Sequence, residues 1–205
     1  MAKTIIPLLI ISLLFLSGCT QRDDIFLVNK DSFKEYSETI KYEDLRFPVS
    51  AIQVQGAANL PKWAVFINNT ISLYFSPSTM NQAYITAQLP HARIINTTIS
   101  PHFHWTYDEP KAFGDVVWCL EYTCADVGDI YPLTQIECVT DTAGLPYEHH
   151  MTNMIHIDNN LSESAVCNIR IFRDTENPGD TLPVEVSLQE FDIHYMSYQY
   201  GEELH

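Results

Sequence analysis

In the segment DVVWCLEY, residues 115–122, large apolar side chains recur at every second position. Successive side chains of a β-strand point to opposite faces of the sheet, so this period of two predicts a strand that is buried on one face. The apolar face carries Val116, Trp118, Leu120 and Tyr122, and the other face carries Asp115, Cys119 and Glu121. We expect Trp118 to be a core residue, because a tryptophan buries up to about 250 Å².

A second segment, VEVSLQEFDIHY at residues 184–195, alternates in the same way but changes phase once. Its apolar side chains are Val184, Val186 and Leu188, followed by Phe191, Ile193 and Tyr195. A slip of one residue inside a continuous run is what a β-bulge produces, so we predict a bulge between Leu188 and Phe191. The bulge directs Phe191 into the core and leaves Asp192 and His194 together on the opposite face.

About nine short runs rich in Val, Ile, Tyr, Phe and Trp follow one another from residue 47 onward, each bounded by Pro, Gly or Asn. No long segment between them has the apolar period of a helix. This pattern is typical of sandwiches and jelly rolls. The predicted fold class is therefore all-β: a single antiparallel β-sandwich of the jelly-roll type over residues 46–205.

Composition and charge narrow the class of partner. The chain has 205 residues, 46% of them hydrophobic, which is enough for one domain with a substantial core. Its formal net charge is −15 at pH 7. A surface of that sign repels phosphates, so we expect no nucleic-acid partner.

The first twenty residues, MAKTIIPLLIISLLFLSGCT, are similar to a bacterial lipoprotein signal. Lys3 gives a basic start, and the apolar run Ile5–Leu16 follows. As a helix this run is about 18 Å long, short of the hydrocarbon core of about 30 Å, so it suits a signal peptide better than a membrane span. Leu-Ser-Gly-Cys then resembles a lipobox, which predicts lipidation of Cys19 and, with Thr20 next, an outer-membrane location. A buried N-terminal strand is the alternative.

Residues 20–45 are predicted to be a tether. Phe33, Tyr36 and Ile40 recur at roughly helical spacing, so a short helix is possible there, ending before Pro48. The predicted organisation is a signal-peptide-like segment (1–19), the tether (20–45) and the sandwich domain (46–205).

Four cysteines remain beyond Cys19: Cys119, Cys124, Cys138 and Cys167. An even number in an exported chain permits two disulfides, for which there are three possible connectivities. Four free thiols are the alternative. No CxxC spacing occurs, so a zinc site made of thiolates is not expected.

Residues 88–110, QLPHARIINTTISPHFHWTYDEP, concentrate three histidines in 23 positions. In a strand His102 and His104 share one face, and Phe103 and Trp105 share the other. We expect the aromatic pair to face the core, which leaves the two histidines side by side on the opposite face.

The same histidines are candidate metal ligands. His102, His104 and Glu109 partly resemble the first metal-binding motif of the cupins, and His149 resembles the histidine of the second. These four residues are the predicted ligands if a divalent metal is bound; no other cofactor is expected. The resemblance is incomplete, because the glycine expected before the histidine pair is Asn96.

Motifs of catalysis are missing from the sequence. It contains no GxSxG, no HExxH, no glycine-rich phosphate loop and no Asp-rich calcium loop. We therefore name no catalytic residue and predict a protein that is not an enzyme.

Several elements occur in an order that resembles a family of tailed-phage and prophage proteins of unknown mechanism. These are Asp-Leu-Arg-x-Pro (44–48), Gln-Leu-Pro-His (88–91), Pro-His-x-His-Trp (101–105), Val-Val-Trp-x-Leu-Glu-Tyr (116–122) and Asp-x-His-Tyr (192–195). The resemblance covers roughly residues 42–203 and implies a virion structural component, associated with a capsid or tail. The N-terminal lipobox departs from this family.

The resemblance makes a non-enzymatic virion protein the first functional hypothesis. Its expected partners are copies of itself, taken as a trimer, and other virion proteins, with Trp105, Trp118 and Phe191 as core residues and His194 at an assembly surface. The second hypothesis is a lipid-anchored binding module on the bacterial surface, with carbohydrate as its candidate ligand and the Cys19 lipid as its membrane contact. A cupin-like metalloprotein is the third.

Overall fold

The computed structural model of the chain describes residues 39–54, 59–157 and 160–199. The predicted signal segment with Cys19, and the tether up to residue 38, lie outside these residues. Over the described ranges the chain forms ten β-strands and one 3-10 helix, Val49–Ala51. No helix in this part of the chain has the length and apolarity of a membrane span.

The ten strands form two antiparallel sheets, so the predicted all-β sandwich is confirmed. The six-stranded sheet holds β1 (Thr39–Pro48), β2 (Lys62–Val65), β3 (Ile71–Phe75), β5 (Ile99–Thr106), β8 (His150–Asn153) and β10 (Val186–Gln199). The four-stranded sheet has the order β4 (Gln82–Gln88), β9 (Val166–Arg173), β6 (Asp115–Ala125) and β7 (Gln135–Thr142).

The strand β10 organises the six-stranded sheet. Along one edge it pairs with β5, and along the other it pairs first with β3 and then with β1. The register with β5 shifts between Leu188 and Glu190, so the bulge predicted between Leu188 and Phe191 is confirmed. After the shift Phe191 and Ile193 are buried in the core, as the change of phase requires.

Aromatic rings from both sheets meet in the core. Trp118 of β6 stacks on Phe103 of β5 with ring centroids 4.7 Å apart, and Phe103 contacts Phe191 of β10 at 5.3 Å. Trp105 lies 6.4 Å from Trp118 and donates a hydrogen bond from Nε1 to Thr152 Oγ1 at 2.8 Å. All four rings are fully buried, so Phe103 and Trp105 face the core as predicted.

Both disulfides lie in the four-stranded sheet. Cys119–Cys138 joins β6 to β7, and Cys124–Cys167 joins β6 to β9. In each case the two cysteines are directly opposite each other across the strand pair. Strand register therefore selects one of the three connectivities that the sequence left open.

The domain begins earlier than the sequence indicates. Strand β1 starts at Thr39, so residues 39–45 belong to the sandwich and are neither tether nor helix. Its Ile40, counted toward the helical spacing, is an exposed strand residue opposite Tyr198 of β10. The apolar spacing in this segment was too short to separate a helix from a strand.

Candidate functional site

Ionisable side chains line the outer face of the six-stranded sheet where β1 pairs with β10. Asp44 lies opposite His194 and Arg46 lies opposite Asp192 in the register. His194 Nε2 is 2.7 Å from Asp44 Oδ1. Arg46 donates two hydrogen bonds to the carboxylate of Glu190, at 2.6 and 2.7 Å. This bidentate pairing fixes the planes of both side chains.

The other edge of β10 brings the histidines of β5 to the same face. His102 lies opposite Asp192, and His104 lies opposite Glu190. The predicted side-by-side arrangement of the two histidines is therefore present, with an aspartate between them. Asp192 Oδ1 lies 3.2 Å from His102 Nδ1, and Asp192 Oδ2 lies 3.1 Å from His104 Nε2.

Asp192 is an ionisable group in a covered position, with 4% of its surface exposed. Burial of the carboxylate opposes ionisation, but the two adjacent histidines, His102 and His104, outweigh it, so the pKa of Asp192 lies below its ordinary value. The carboxylate is therefore negative at neutral pH and able to attract a cation.

Three of these residues converge closely enough to share one ion. One ligand atom each from His102, Asp192 and His194 lie within 4.8 Å of one another. The rings of His102 and His194 are also in contact, with centroids 3.9 Å apart. A second group of this kind, Cys119, Cys138 and Asp174, has its two thiols joined in a disulfide and offers no thiolate.

The predicted ligand set is assembled only in part. His104 Nδ1 lies 2.8 Å from His149 Nε2, so these two histidines do meet. Glu109 lies exposed after β5 and makes no ion pair or hydrogen bond with the described residues. Asp192 is the carboxylate beside the histidines, because register across strands, and not spacing along the chain, decides which groups meet.

A cleft of about 510 Å³ opens beside this network. Its volume lies within the usual range for a small-ligand site, about 300–1,000 Å³. Side chains from five parts of the chain line it, among them Arg46, Phe66, Ile67, Tyr147, Gln189 and Glu190. His104, His149 and Asp192 also reach its wall, so the cleft and the histidine–aspartate network are continuous.

The rim of the cleft carries an aromatic pair. The rings of Phe66 and Tyr147 are 6.0 Å apart, and 54% of Tyr147 is exposed. Tyr147 has a φ of 64°, which is uncommon for a bulky residue and costs on the order of 1–3 kcal/mol. Hydrogen bonds hold this turn: Tyr147 N donates to Tyr107 O at 2.7 Å, and Glu148 N donates to Leu145 O at 3.0 Å. These contacts hold the Tyr147 side chain at the rim of the cleft.

Sequence reasoning did not place Asp44, Arg46, Asp192 or Tyr147 in a site, and it placed His194 only at an assembly surface. Asp44 and Arg46 belong to the Asp-Leu-Arg-x-Pro element, and Asp192 and His194 belong to Asp-x-His-Tyr. The two elements lie almost 150 residues apart in sequence, and the pairing of β1 with β10 brings them side by side. Tyr147 carries no local signal that sequence reasoning used.

The chain matches no family model and no curated protein. Among solved structures it is similar to the CBM36-1 domain of a multidomain xylanase from the hindgut metagenome of Trinervitermes trinervoides, with 8% identity, 75% of this chain and 96% of that chain covered, and a TM-score of 0.39.

It is also similar to the C-terminal family 22 carbohydrate-binding module of Clostridium thermocellum Xyn10B, with 12% identity, 71% and 85% of the chains covered, and a TM-score of 0.37. A third is TmCBM61, solved with β-1,4-galactotriose, with 11% identity, 80% and 91% covered, and a TM-score of 0.33. These values are too low to transfer the ligand of any of these proteins to this chain.

Proposed function

We propose that this protein is a binding module, not an enzyme, and that its cleft takes a neutral glycan. The observation that carries the proposal is the joint presence, in one cleft, of an aromatic rim and fixed planar polar groups. Phe66 and Tyr147 provide the rim, and the Arg46–Glu190 pair provides the polar groups.

The chemistry of a sugar ring matches this combination. Its faces carry C–H groups that pack on aromatic rings, and its edges carry neighbouring hydroxyls that both donate and accept hydrogen bonds. Arg46 donates only, Glu190 accepts when ionised, and Gln189 does both. A few convergent polar groups of this kind orient a ligand that the apolar part of the pocket holds.

The charge of the cleft favours a neutral glycan over an acidic one. Asp44, Glu190 and Asp192 contribute three carboxylates to its lining, and Arg46 contributes one permanent cation. The whole chain is also strongly acidic. An acidic glycan would be repelled both by the carboxylates of the cleft and by the net negative charge of the whole chain.

Binding should be measured by affinity electrophoresis and calorimetry with soluble xylan, β-glucan and β-1,4-galactan, and with polygalacturonate as the acidic control. We expect one of the neutral polymers to bind, and Tyr147→Ala to weaken that binding by at least about tenfold, or 1.4 kcal/mol. Tyr131→Ala is the matched control, because Tyr131 is a similarly exposed tyrosine outside the cleft. Binding of none of the neutral polymers, or equal loss in the two variants, contradicts the proposal.

Two disulfides support a location outside the reducing cytoplasm, where such bonds persist. They agree with the lipid anchor predicted at Cys19, which lies outside the described residues and stays a prediction. A surface module of this type would present its cleft to polymers around the cell.

A virion component remains the second candidate function. The connection between β6 and β7 exposes Val127, Ile130 and Leu133 almost completely, at 85%, 93% and 92%. Large exposed apolar side chains that lie close together mark assembly surfaces. Light scattering on the full chain and on Leu133→Ser tests this: an oligomer that dissociates in the variant supports it, and a monomeric wild type removes the support.

A further inference from the structure

The buried part of the histidine–aspartate network contains two polar atoms without a hydrogen-bond partner. His102 Nδ1 and Asp192 Oδ1 are both inaccessible to solvent, and although they lie 3.2 Å apart they do not form a hydrogen bond. His102 is 5% exposed and Asp192 is 4% exposed. Buried polar atoms are normally paired, and an exception calls for an explanation such as an ion.

We propose that His102, Asp192 and His194 bind a divalent transition-metal ion, with Zn²⁺ the ion that best fits the ligand set. This site shares only His102 with the cupin-like set, because Asp192 and His194 stand in place of His104, Glu109 and His149. It lies beside the proposed glycan cleft and does not depend on glycan binding.

The spacing of the ligand atoms is compatible with a shared metal ion. Zinc bonds of about 2.0–2.2 Å in a tetrahedral site place neighbouring ligand atoms about 3.3 Å apart. His102 Nδ1 and Asp192 Oδ1 already have this separation, at 3.2 Å. His194 Nε2 is 4.0 Å from the other oxygen of the same carboxylate, Asp192 Oδ2. To bind the ion, this nitrogen has to give up its present contact with Asp44.

The donor types select the class of ion. Two imidazoles with one carboxylate suit zinc and its neighbours in the first transition series. Calcium and magnesium take oxygen ligands almost exclusively and are poorly matched. Asp44 Oδ1, 2.7 Å from His194 Nε2, supplies a second carboxylate next to the same nitrogen.

An outer layer of contacts orients the ligands. His104 Nε2 lies 3.1 Å from Asp192 Oδ2, and His104 Nδ1 lies 2.8 Å from His149 Nε2. Groups that hold a ligating carboxylate in this way tune metal affinity. The ion would connect β5 to β10 and fix the wall that Asp192 and His104 contribute to the cleft.

The test uses the full chain without a purification tag, stripped with EDTA and dialysed against Zn²⁺, followed by elemental analysis and competition titration. We expect one equivalent of zinc and a rise in melting temperature, because the ion binds the folded state. Asp192→Asn and His194→Gln should each weaken zinc binding by more than about tenfold. His91→Gln, which alters a histidine bonded to Ser164 outside the cluster, should bind zinc as the wild type does.

Circular dichroism on each variant separates loss of the site from loss of the fold. If Asp192→Asn does not fold, His194→Gln carries the test, because the His194 side chain is partly exposed. A wild type that retains no zinc overturns the proposal. Zinc binding that is unchanged in His194→Gln, or that is lost equally in His91→Gln, overturns it as well.

Discussion

The four-stranded sheet contains both disulfides and ends at Arg173, which is buried in an ion pair with Asp180 of the following connection, whereas the outer face of the six-stranded sheet carries the histidine–aspartate network. Arg173 and Asp180 are almost completely buried and 2.7 Å apart, and Arg173 Nη1 also donates to Val184 O at 2.7 Å. Among the described residues no disulfide joins strands of the six-stranded sheet. We infer that one sheet is the cross-linked support and the other carries the site.

The difference shows how a sandwich can keep charged groups together on one sheet. Asp192 and His102 are buried side by side without full pairing, which lowers stability. Cross-links and the aromatic core stabilise the fold elsewhere. A protein with a stability margin of only about 5–15 kcal/mol needs such compensation.

The largest expected effect comes from the core that both sheets share. Phe191→Ala removes a fully buried ring that packs on Phe103, and it should lower the free energy of unfolding by about 3–5 kcal/mol. Denaturant unfolding measures this loss. A change below about 1 kcal/mol would contradict the description of the core as the element that joins the sheets.

Removal of a disulfide tests the inference that the four-stranded sheet stabilises the fold without taking part in binding. Cys124→Ala with Cys167→Ala opens a loop with a sequence separation of 43, and should destabilise the fold by about 4 kcal/mol on the chain-entropy account. Cys119→Ala with Cys138→Ala opens a loop of 19 and should cost about 3 kcal/mol. Glycan or zinc binding at 25 °C should stay unchanged in both folded variants. If removal of either disulfide weakens binding, the four-stranded sheet also contributes to the site, which contradicts the division between the two sheets.

The smallest expected change in stability comes from the outer face. In metal-free buffer, His194→Ala removes a partly exposed ion pair with Asp44 and should alter the free energy of unfolding by about 0.2–1 kcal/mol. Thermal melts beside those of Phe191→Ala measure it, and sizing chromatography shows whether assembly weakens, as the sequence predicts. A melt as low as that of Phe191→Ala would mean that the outer face, too, is structural.

Local sequence predicted much of the sandwich. Alternation in residues 115–122 and 184–195 placed Trp118 and Phe191 in the core, and the phase change located the bulge. The prediction from local sequence was wrong at residues 39–45. A few apolar residues at irregular spacing indicated a short helix there, but these residues form β1. Short segments give too few repeats to separate a period of 3.6 from a period of 2.

The candidate site could be predicted only in part. Histidines at 102 and 104 were correctly placed on one face, since that follows from the strand period. Their carboxylate partner was expected at Glu109, from the partial resemblance to the cupin motif, but Asp192 fills that position.

The sequence by itself determined which side chains face inward along each strand, because the pleat of a β-strand is set by its own backbone and repeats every two residues. Tertiary structure alone decided which strands became neighbours, and with them the disulfide pairs, the Asp44–His194 contact and the approach of Asp192 to His102. The physical reason is that pairing between distant segments depends on burying all apolar faces at once, and no single segment contains that information.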